Sequence, residues 1–388
     1  MRICFYGTIR GWPWAAPDYV WPYAAKRFLA NGDKVLVCAP EIHQQRPELA
    51  ELRGLGARIE QVPNYARQPG RLAGVRKVLS GEWREGRHLR RTLREFRPDL
   101  VFLNQGGTAD AISEADLLDY LESTRTPYVL FCRSNQRRPP AEKAARSEVI
   151  RLYSGAYKVL FNSKWMLDLT QGQVMIKLPN AGLFPHLVRF DFSSPLSWPE
   201  SNVPLLASLS RLDMFHKGLD VLLEAVCLLK QEGARFRLEV AGYGPDHEYL
   251  ENYAGFLGID DMVRFTGRSE DVREVWRRNQ MLVLVSRYEG LAVSMLEAMA
   301  CGRPVLRTPY GGADWIEDGK TGFICPAPEP ELIAATIRRA LARYAEWPSM
   351  GLAAHEALAK RLPKDPERIY LEIADELRSS SKTKGPRA

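Results

Sequence analysis

Strand-length apolar runs alternate along the chain with stretches whose apolar residues fall at helical spacing. In the first half the runs are Arg2–Tyr6, Lys34–Cys38, Arg58–Val62, Leu100–Leu103, Tyr128–Cys132 and Lys158–Asn162. In the second half they are Leu205–Leu209, Phe236–Ala241, Val263–Thr266, Met281–Val285 and Val305–Thr308. Strands separated by helices predict parallel sheets covered by helices on both faces, an α/β fold. Between the halves, residues 187–203 are rich in Ser and Pro and read as a linker. The pattern therefore predicts two Rossmann-like domains facing one another across a central cleft, residues 1–186 and 204–365. A helix at 366–378 is expected to return to the first domain, and the polar residues 379–388 to be a disordered tail.

The junction after Met281–Val285 carries the clearest chemistry. Glu289 falls in the loop leaving this strand, and Glu297 in the first turn of a helix that stops at Gly302 with Pro304 beyond. Open α/β sheets bind ligands at the carboxyl ends of their strands. The unpaired N–H groups of a helix start attract phosphate, and flanking carboxylates accept hydrogen bonds from sugar hydroxyls. A nucleotide-sugar meets all three demands. The competing account is a capping box, Ser294 with Glu297 three residues later, which explains Glu297 without any ligand.

A second junction, Ser210 to Gly218, follows the strand Leu205–Leu209 and precedes a helix with Leu219, Leu222, Leu223, Val226 and Leu229 on one face. It brings Arg211 and Lys217 to a strand end. A lysine beside a helix N-terminus opposes the helix dipole by about 0.3–1 kcal/mol, and a bound anion reverses that sign. The two cations then converge on a diphosphate, unless they are merely solvated.

Four motifs in order, Arg211…Lys217-Gly218, Gly242-Tyr243-Gly244, Gly267-Arg268 and Glu289…Glu297, make residues 204–345 resemble the donor-binding domain of retaining family 4 glycosyltransferases, which have the GT-B architecture. The resemblance implies Arg211 and Lys217 on the donor phosphates, Glu289 on the sugar and Glu297 on the ribose. Gly242, Gly244, Gly267, Arg268 and the backbone of Gly290, Leu291, Ala292 and Val293 complete the donor site. It departs from the family where Phe-Gly usually follows Glu-Gly, here Leu291-Ala292; a glycine-only backbone there would strain Ala292. In the first half the likeness is one of outline. Gly11-Trp12 stands where many members have a Gly-Gly loop, and Arg133 where many have a histidine, so these residues mark the acceptor side. Trp12, Trp14, Tyr19, Trp21 and Tyr23 either stack on the acceptor or pack in the core.

Composition narrows the reading. The chain of 388 residues has no apolar stretch long enough to span a bilayer. Its opening residues read as a strand and glycine turn rather than a signal peptide. Six scattered cysteines read as reduced core thiols of a cytoplasmic protein. No Asp-x-Asp spacing or histidine ligand spacing occurs, so neither a metal nor another cofactor is expected and transfer is expected to be metal-independent. The net charge of +7 is concentrated in residues 1–185, which hold 28 Lys/Arg against 18 Asp/Glu. Much of this surplus lies between Arg71 and Arg97, interleaved with apolar positions as in a basic amphipathic helix pair. That segment is either a solvated face or a peripheral contact with an anionic membrane on its cytoplasmic side; no nucleic-acid motif accompanies the charge. The expected partners are a nucleoside-diphosphate sugar and a hydroxyl acceptor, a lipid-linked one included. A nucleotide-sugar epimerase of the same fold, or an inactive partner in glycan assembly, stands as the alternative.

Overall fold

The computed structural model describes residues 1–9, 19–62, 82–136 and 143–383. It divides into two compact units, Met1–Leu187 with the segment from Lys364 onward, and Val188–Pro363.

The first unit is a seven-stranded parallel sheet in the order β3-β2-β1-β4-β5-β6-β7. The strands are β1 Arg2–Gly7, β2 Lys34–Pro40, β3 Arg58–Val62, β4 Leu100–Asn104, β5 Tyr128–Cys132, β6 Lys158–Phe161 and β7 Ala181–Leu183. Successive side chains enter different cores because a strand alternates faces. Cys4, Tyr6, Val101, Leu103, Leu130 and Cys132 pack into one. Ile3, Phe5, Phe102, Val129 and Phe131 pack into the other.

The C-terminal helix Arg368–Thr383 belongs to this second core, to which it contributes Tyr370, Ile373 and Ala374. The Tyr370 ring stacks on Phe131 at 4.4 Å and meets Phe102 edge-on at 4.9 Å. Arg378 pairs with the buried Asp33 at 2.6 Å. The helix also runs five residues past its expected end at 378, into the stretch read as a disordered tail. Ser379 and Ser380 return their hydroxyls to the carbonyls of Asp375 and Glu376, each at 2.9 Å, so a polar sequence is accommodated in the last turn.

The second unit is a six-stranded parallel sheet in the order β10-β9-β8-β11-β12-β13. Its strands are β8 Leu205–Leu209, β9 Arg237–Ala241, β10 Val263–Gly267, β11 Met281–Leu284, β12 Val305–Arg307 and β13 Gly322–Ile324. Residues 188–203, all but the first residue of the expected linker 187–203, belong to this unit. Val188 is buried in its core, and the buried Arg303 guanidinium donates to the carbonyls of Leu196 and Ser197 while packing over the Trp198 ring. The two strands that the apolar pattern missed, β7 and β13, are three-residue edge strands too short to show a period.

Of the basic segment 71–97, residues 71–81 lie outside the described residues. The remainder is the helix Glu82–Phe96, which buries Leu89 and Leu93 and exposes Arg91 and Arg94.

Candidate functional site

Strand order in the second sheet reverses at β8, with β9 on one side and β11 on the other. Such a reversal of strand order is where open α/β sheets bind ligands, at the carboxyl ends of the strands. The expected donor residues fall around that point.

The β8 loop runs through Arg211 into a one-turn helix, Met214–Lys217. Asp213 caps it by accepting from the His216 N–H at 3.0 Å. Gly218 ends the turn with φ +66°; a Cβ there would lie 2.4 Å from the Val285 carbonyl oxygen. Only glycine lets this loop abut the end of β11 so closely. Arg287 fastens it from the other side, donating to the Met214 carbonyl at 2.8 Å and gripping Asp220 with both arms of its guanidinium at 2.8 and 2.6 Å.

As a result Lys217 forms an ion pair with Glu289 across the reversal point. Ser286 Oγ donates to the same carboxylate oxygen, Oε1, at 2.9 Å. Both protein donors thus converge on Oε1, and among the described residues none reaches Oε2. Burial alone would raise the Glu289 pKa. The Lys217 charge, with the hydrogen bonds from Lys217 and Ser286, outweighs it and holds the group below the usual carboxylate range. His216, stacked on Tyr288 at 4.2 Å, is pushed down to about 4 by burial and by Lys217, so it is neutral at pH 7. Arg211 is held on Asp213. The two cations expected to await phosphate are thus each anchored by a carboxylate.

Two expectations about the β11 loop are corrected. The helix Val293–Ala300 takes Ala292 as its N-cap with no side-chain cap bond. Ser294 is therefore already inside the helix and Glu297 stands in its second turn, so the capping box does not form. Ala292 has φ −73° and ψ 114°, open to any residue, and so carries no glycine-type strain. Glu297 is buried, and burial raises its pKa to about 7, with Arg189 offsetting only part of the rise. No hydrogen bond to its carboxylate is present among the described residues.

Gly242 and Gly244 have a packing reason for their smallness. A Cβ on Gly242 would stand 1.8 Å from the Ser210 carbonyl oxygen, and one on Gly244 2.2 Å from that of Leu212. The Gly242 N–H donates to the Gly267 carbonyl at 2.7 Å. These glycines join the loops after β8, β9 and β10 at the carboxyl edge, and Arg268 stands exposed beside them. Gly290, Leu291 and Ala292 are buried, while Val293 is half-buried.

Of the acceptor-side residues, Gly11 and Trp12 lie outside the described residues. Arg133 follows β5 in the first unit and is buried. It donates to Asn104 Oδ1 at 3.2 Å and packs against the Phe184 and Phe131 rings. Beside it, His186 is pushed down to about 3 by burial and the Arg133 charge. Sequence reading missed Ser286, Arg287 and Arg307, whose partners become apparent only once β8, β11 and β12 are neighbours.

Two family models match the chain. The glycosyl transferase 4-like domain matches residues 19–177, and the glycosyl transferases group 1 matches residues 203–343. The chain belongs to the GT-B glycosyltransferases of family 4 type. The α-D-kanosaminyltransferase of Streptomyces kanamyceticus is 33% identical over 128 residues, covering 32% of this chain and 33% of that one. A GDP-mannose-dependent α-(1-6)-phosphatidylinositol monomannoside mannosyltransferase of Mycolicibacterium smegmatis is 32% identical over 161 residues, 39% of this chain and 42% of that one. The chain thus spans well under half the length of the curated relatives it matches. Among solved structures, Anabaena HepE in complex with UDP and glucose superposes with a TM-score of 0.72 over 98% of this chain and 100% of that one, at 20% identity. At that identity the likeness is one of fold, GT-B.

Proposed function

We propose that this family member transfers a sugar, with retention at the anomeric carbon, from a nucleoside-diphosphate sugar to a hydroxyl acceptor. The observation that carries the reading is the Glu289 carboxylate at the β8/β11 reversal. One oxygen is committed to Lys217 and Ser286, and the other is left to accept from a sugar hydroxyl. Lys217 keeps two further N–H donors for phosphate, since an ammonium has three. Arg211 and the amides of residues 290–293 supply the rest of the phosphate binding, and Glu297 accepts from the ribose. Gly242, Gly244, Gly267 and Arg268 line the nucleotide. Catalysis then consists mainly of stabilising charge on the departing diphosphate as an oxocarbenium-like sugar develops. Lys217 and Arg211 act as counter-charge without a divalent ion, and turnover is expected to survive excess chelator. Both family models are transferase models, which weighs against the epimerase alternative.

For the acceptor side, Arg133 and the loop at Gly11 and Trp12 are proposed contacts. A hollow of about 890 Å³ at the amino-terminal edge of the first sheet is lined by Arg2, Arg90, Arg91, Arg94, Glu95 and Arg97. Arg94 and Arg97 have no carboxylate partner among the described residues. This basic surface is proposed to meet anionic lipid when the acceptor is membrane-borne.

The deciding experiment is slow hydrolysis of a panel of UDP-, GDP-, ADP- and dTDP-sugars without acceptor. One donor should be turned over. Glu289→Gln should reduce that rate by about 10- to 150-fold, the scale of a hydrogen bond to a charged group. Failure to bind or hydrolyse any of the panel would remove the donor-site reading.

A further inference from the structure

Arg307 closes β12 and is wholly buried, at 0% exposure. Among the described residues no carboxylate lies within ion-pair distance of it. Instead its guanidinium donates to backbone carbonyls of the loop that follows: Nε to Thr308 at 3.0 Å, and Nη2 to Tyr310 and, at 2.8 Å, to Gly311. Its Nη1 touches Met295 Sδ at 2.9 Å. Met295 is the third residue of the helix Val293–Ala300, so the charge lies against that helix's first turn.

The loop it holds is pressed against the proposed donor loop. A Cβ on Gly311 would lie 2.1 Å from both the Glu289 and Gly290 carbonyl oxygens, and one on Gly312 2.2 Å from Leu291 Cδ1. Thr308 Oγ1 donates to the Ser286 carbonyl at 2.7 Å, adding a second fastening between the same two loops. Arg307 therefore fixes residues 308–312, and these in turn support 286–291 from behind.

Two features make the arrangement costly in the protein by itself. A buried cation without a paired anion is expensive, and a cation in the first turn of a helix opposes the helix dipole. Burial lowers the Arg307 pKa to about 10, with the charges of Glu289 and Asp314 offsetting only part of the fall, which leaves it charged at neutral pH. Both penalties diminish further when a dianion settles at the start of that helix, because the buried charge then gains an anionic neighbour beyond the distant carboxylates of Glu289 and Asp314.

We infer that Arg307 is a positioning residue for diphosphate recognition: without touching the ligand, it supports the Glu289–Ala292 loop and places a buried positive charge behind the start of the helix Val293–Ala300. The role rests on the donor site proposed above. Its mark is selectivity for the charged part of the nucleotide over the uncharged part.

The test is calorimetry of the full chain with UDP, GDP, ADP and dTDP and with the matching nucleosides, comparing wild type, Arg307→Met and Arg307→Lys, with a melting temperature for each. Wild type should bind one diphosphate far more tightly than its nucleoside. In Arg307→Met the ratio of diphosphate to nucleoside affinity should fall about tenfold, with nucleoside affinity and melting temperature held. In Arg307→Lys, which keeps the charge but loses the fork to the carbonyls, it should fall about threefold. If the Met variant does not fold, the Lys variant is read by the same ratio. A wild type that binds no diphosphate overturns the donor site, and this role with it. A wild type that binds, with an unchanged ratio in the folded variants, overturns the Arg307 role alone. Parallel loss of both affinities with melting temperature also overturns it, in favour of a purely structural arginine.

Discussion

Burial shifts Glu297 from the ordinary 4.5 to about 7, and this has consequences that can be measured. The folded-state pKa is raised, so its contribution to stability is fully present below about pH 4.5 and is lost as pH rises through 7. The ligand-free protein should lose roughly 3 kcal/mol over that window from this group alone, and Glu297→Gln should flatten the slope. Denaturant titrations at pH 5 and pH 8 check it; equal slopes in wild type and variant would refute the shift. Ribose hydroxyls donating to the carboxylate favour its ionised form, so donor binding near pH 6.5 should release protons and its enthalpy should vary with the buffer. Lys217 and Arg211 should separate in the same assays. Lys217→Ala leaves Glu289 buried and unpaired and should cost about 3–5 kcal/mol of stability. Arg211→Ala breaks a more exposed pair and should act on diphosphate affinity with little change in melting temperature. Arg211, Lys217 and Glu289 could be picked out in the sequence because they fall in loops that follow apolar strands, and Glu297 because it lies in the helix after Glu289. Their pairing could not be, since Lys217 and Glu289 are 72 residues apart and meet only because β11 lies beside β8.

The loops at the carboxyl edge of the second sheet are built on backbone approaches that admit no Cβ. Gly242→Ala would set a methyl 1.8 Å from the Ser210 carbonyl oxygen at φ +148°, so it should displace the β8 loop and reduce nucleotide affinity. Gly233→Ala is the matched control: it also has positive φ, +80°, but its Cβ meets nothing within 4 Å. That substitution should cost about 1 kcal/mol of stability, the backbone term, and leave binding intact. Equal binding loss in both variants would show that the approach to Ser210 is immaterial. Elements with a sustained apolar run were legible, as in β4, buried along its whole length. Three-residue β7 and β13 were not, because nothing in so short a stretch distinguishes a strand from a turn. The apparent capping box at Ser294 and Glu297 misled for another reason. Spacing fits a cap wherever the N-cap stands three residues before the acid, and here the N-cap is Ala292, five before it.

The uneven charge has a direct assay. If the arginine-lined hollow meets anionic lipid, sedimentation with phosphatidylglycerol vesicles should fall steeply as salt rises, because exposed charges are screened beyond about 8 Å at physiological ionic strength. Arg94→Gln with Arg97→Gln should weaken it while nucleotide affinity stays intact; equal recovery on neutral and anionic vesicles would exclude the contact. The doubly wound α/β character was readable from alternation alone, whereas the share of the first unit supplied by the last helix depends on contacts such as Tyr370 with Phe131, 239 positions apart. That helix sets an order of events during synthesis. Domains usually fold as they leave the ribosome, the first translated finishing first. Here the segment Val188–Pro363 is continuous and can close while the chain is still growing. The first unit must wait with Phe102 and Phe131 incompletely covered until Tyr370, Ile373 and Ala374 emerge. A chain ending at Pro363 should therefore give a second unit that melts cooperatively beside a first unit open to protease, and a ribosome stalled before Tyr370 emerges would hold the first unit in its least finished state.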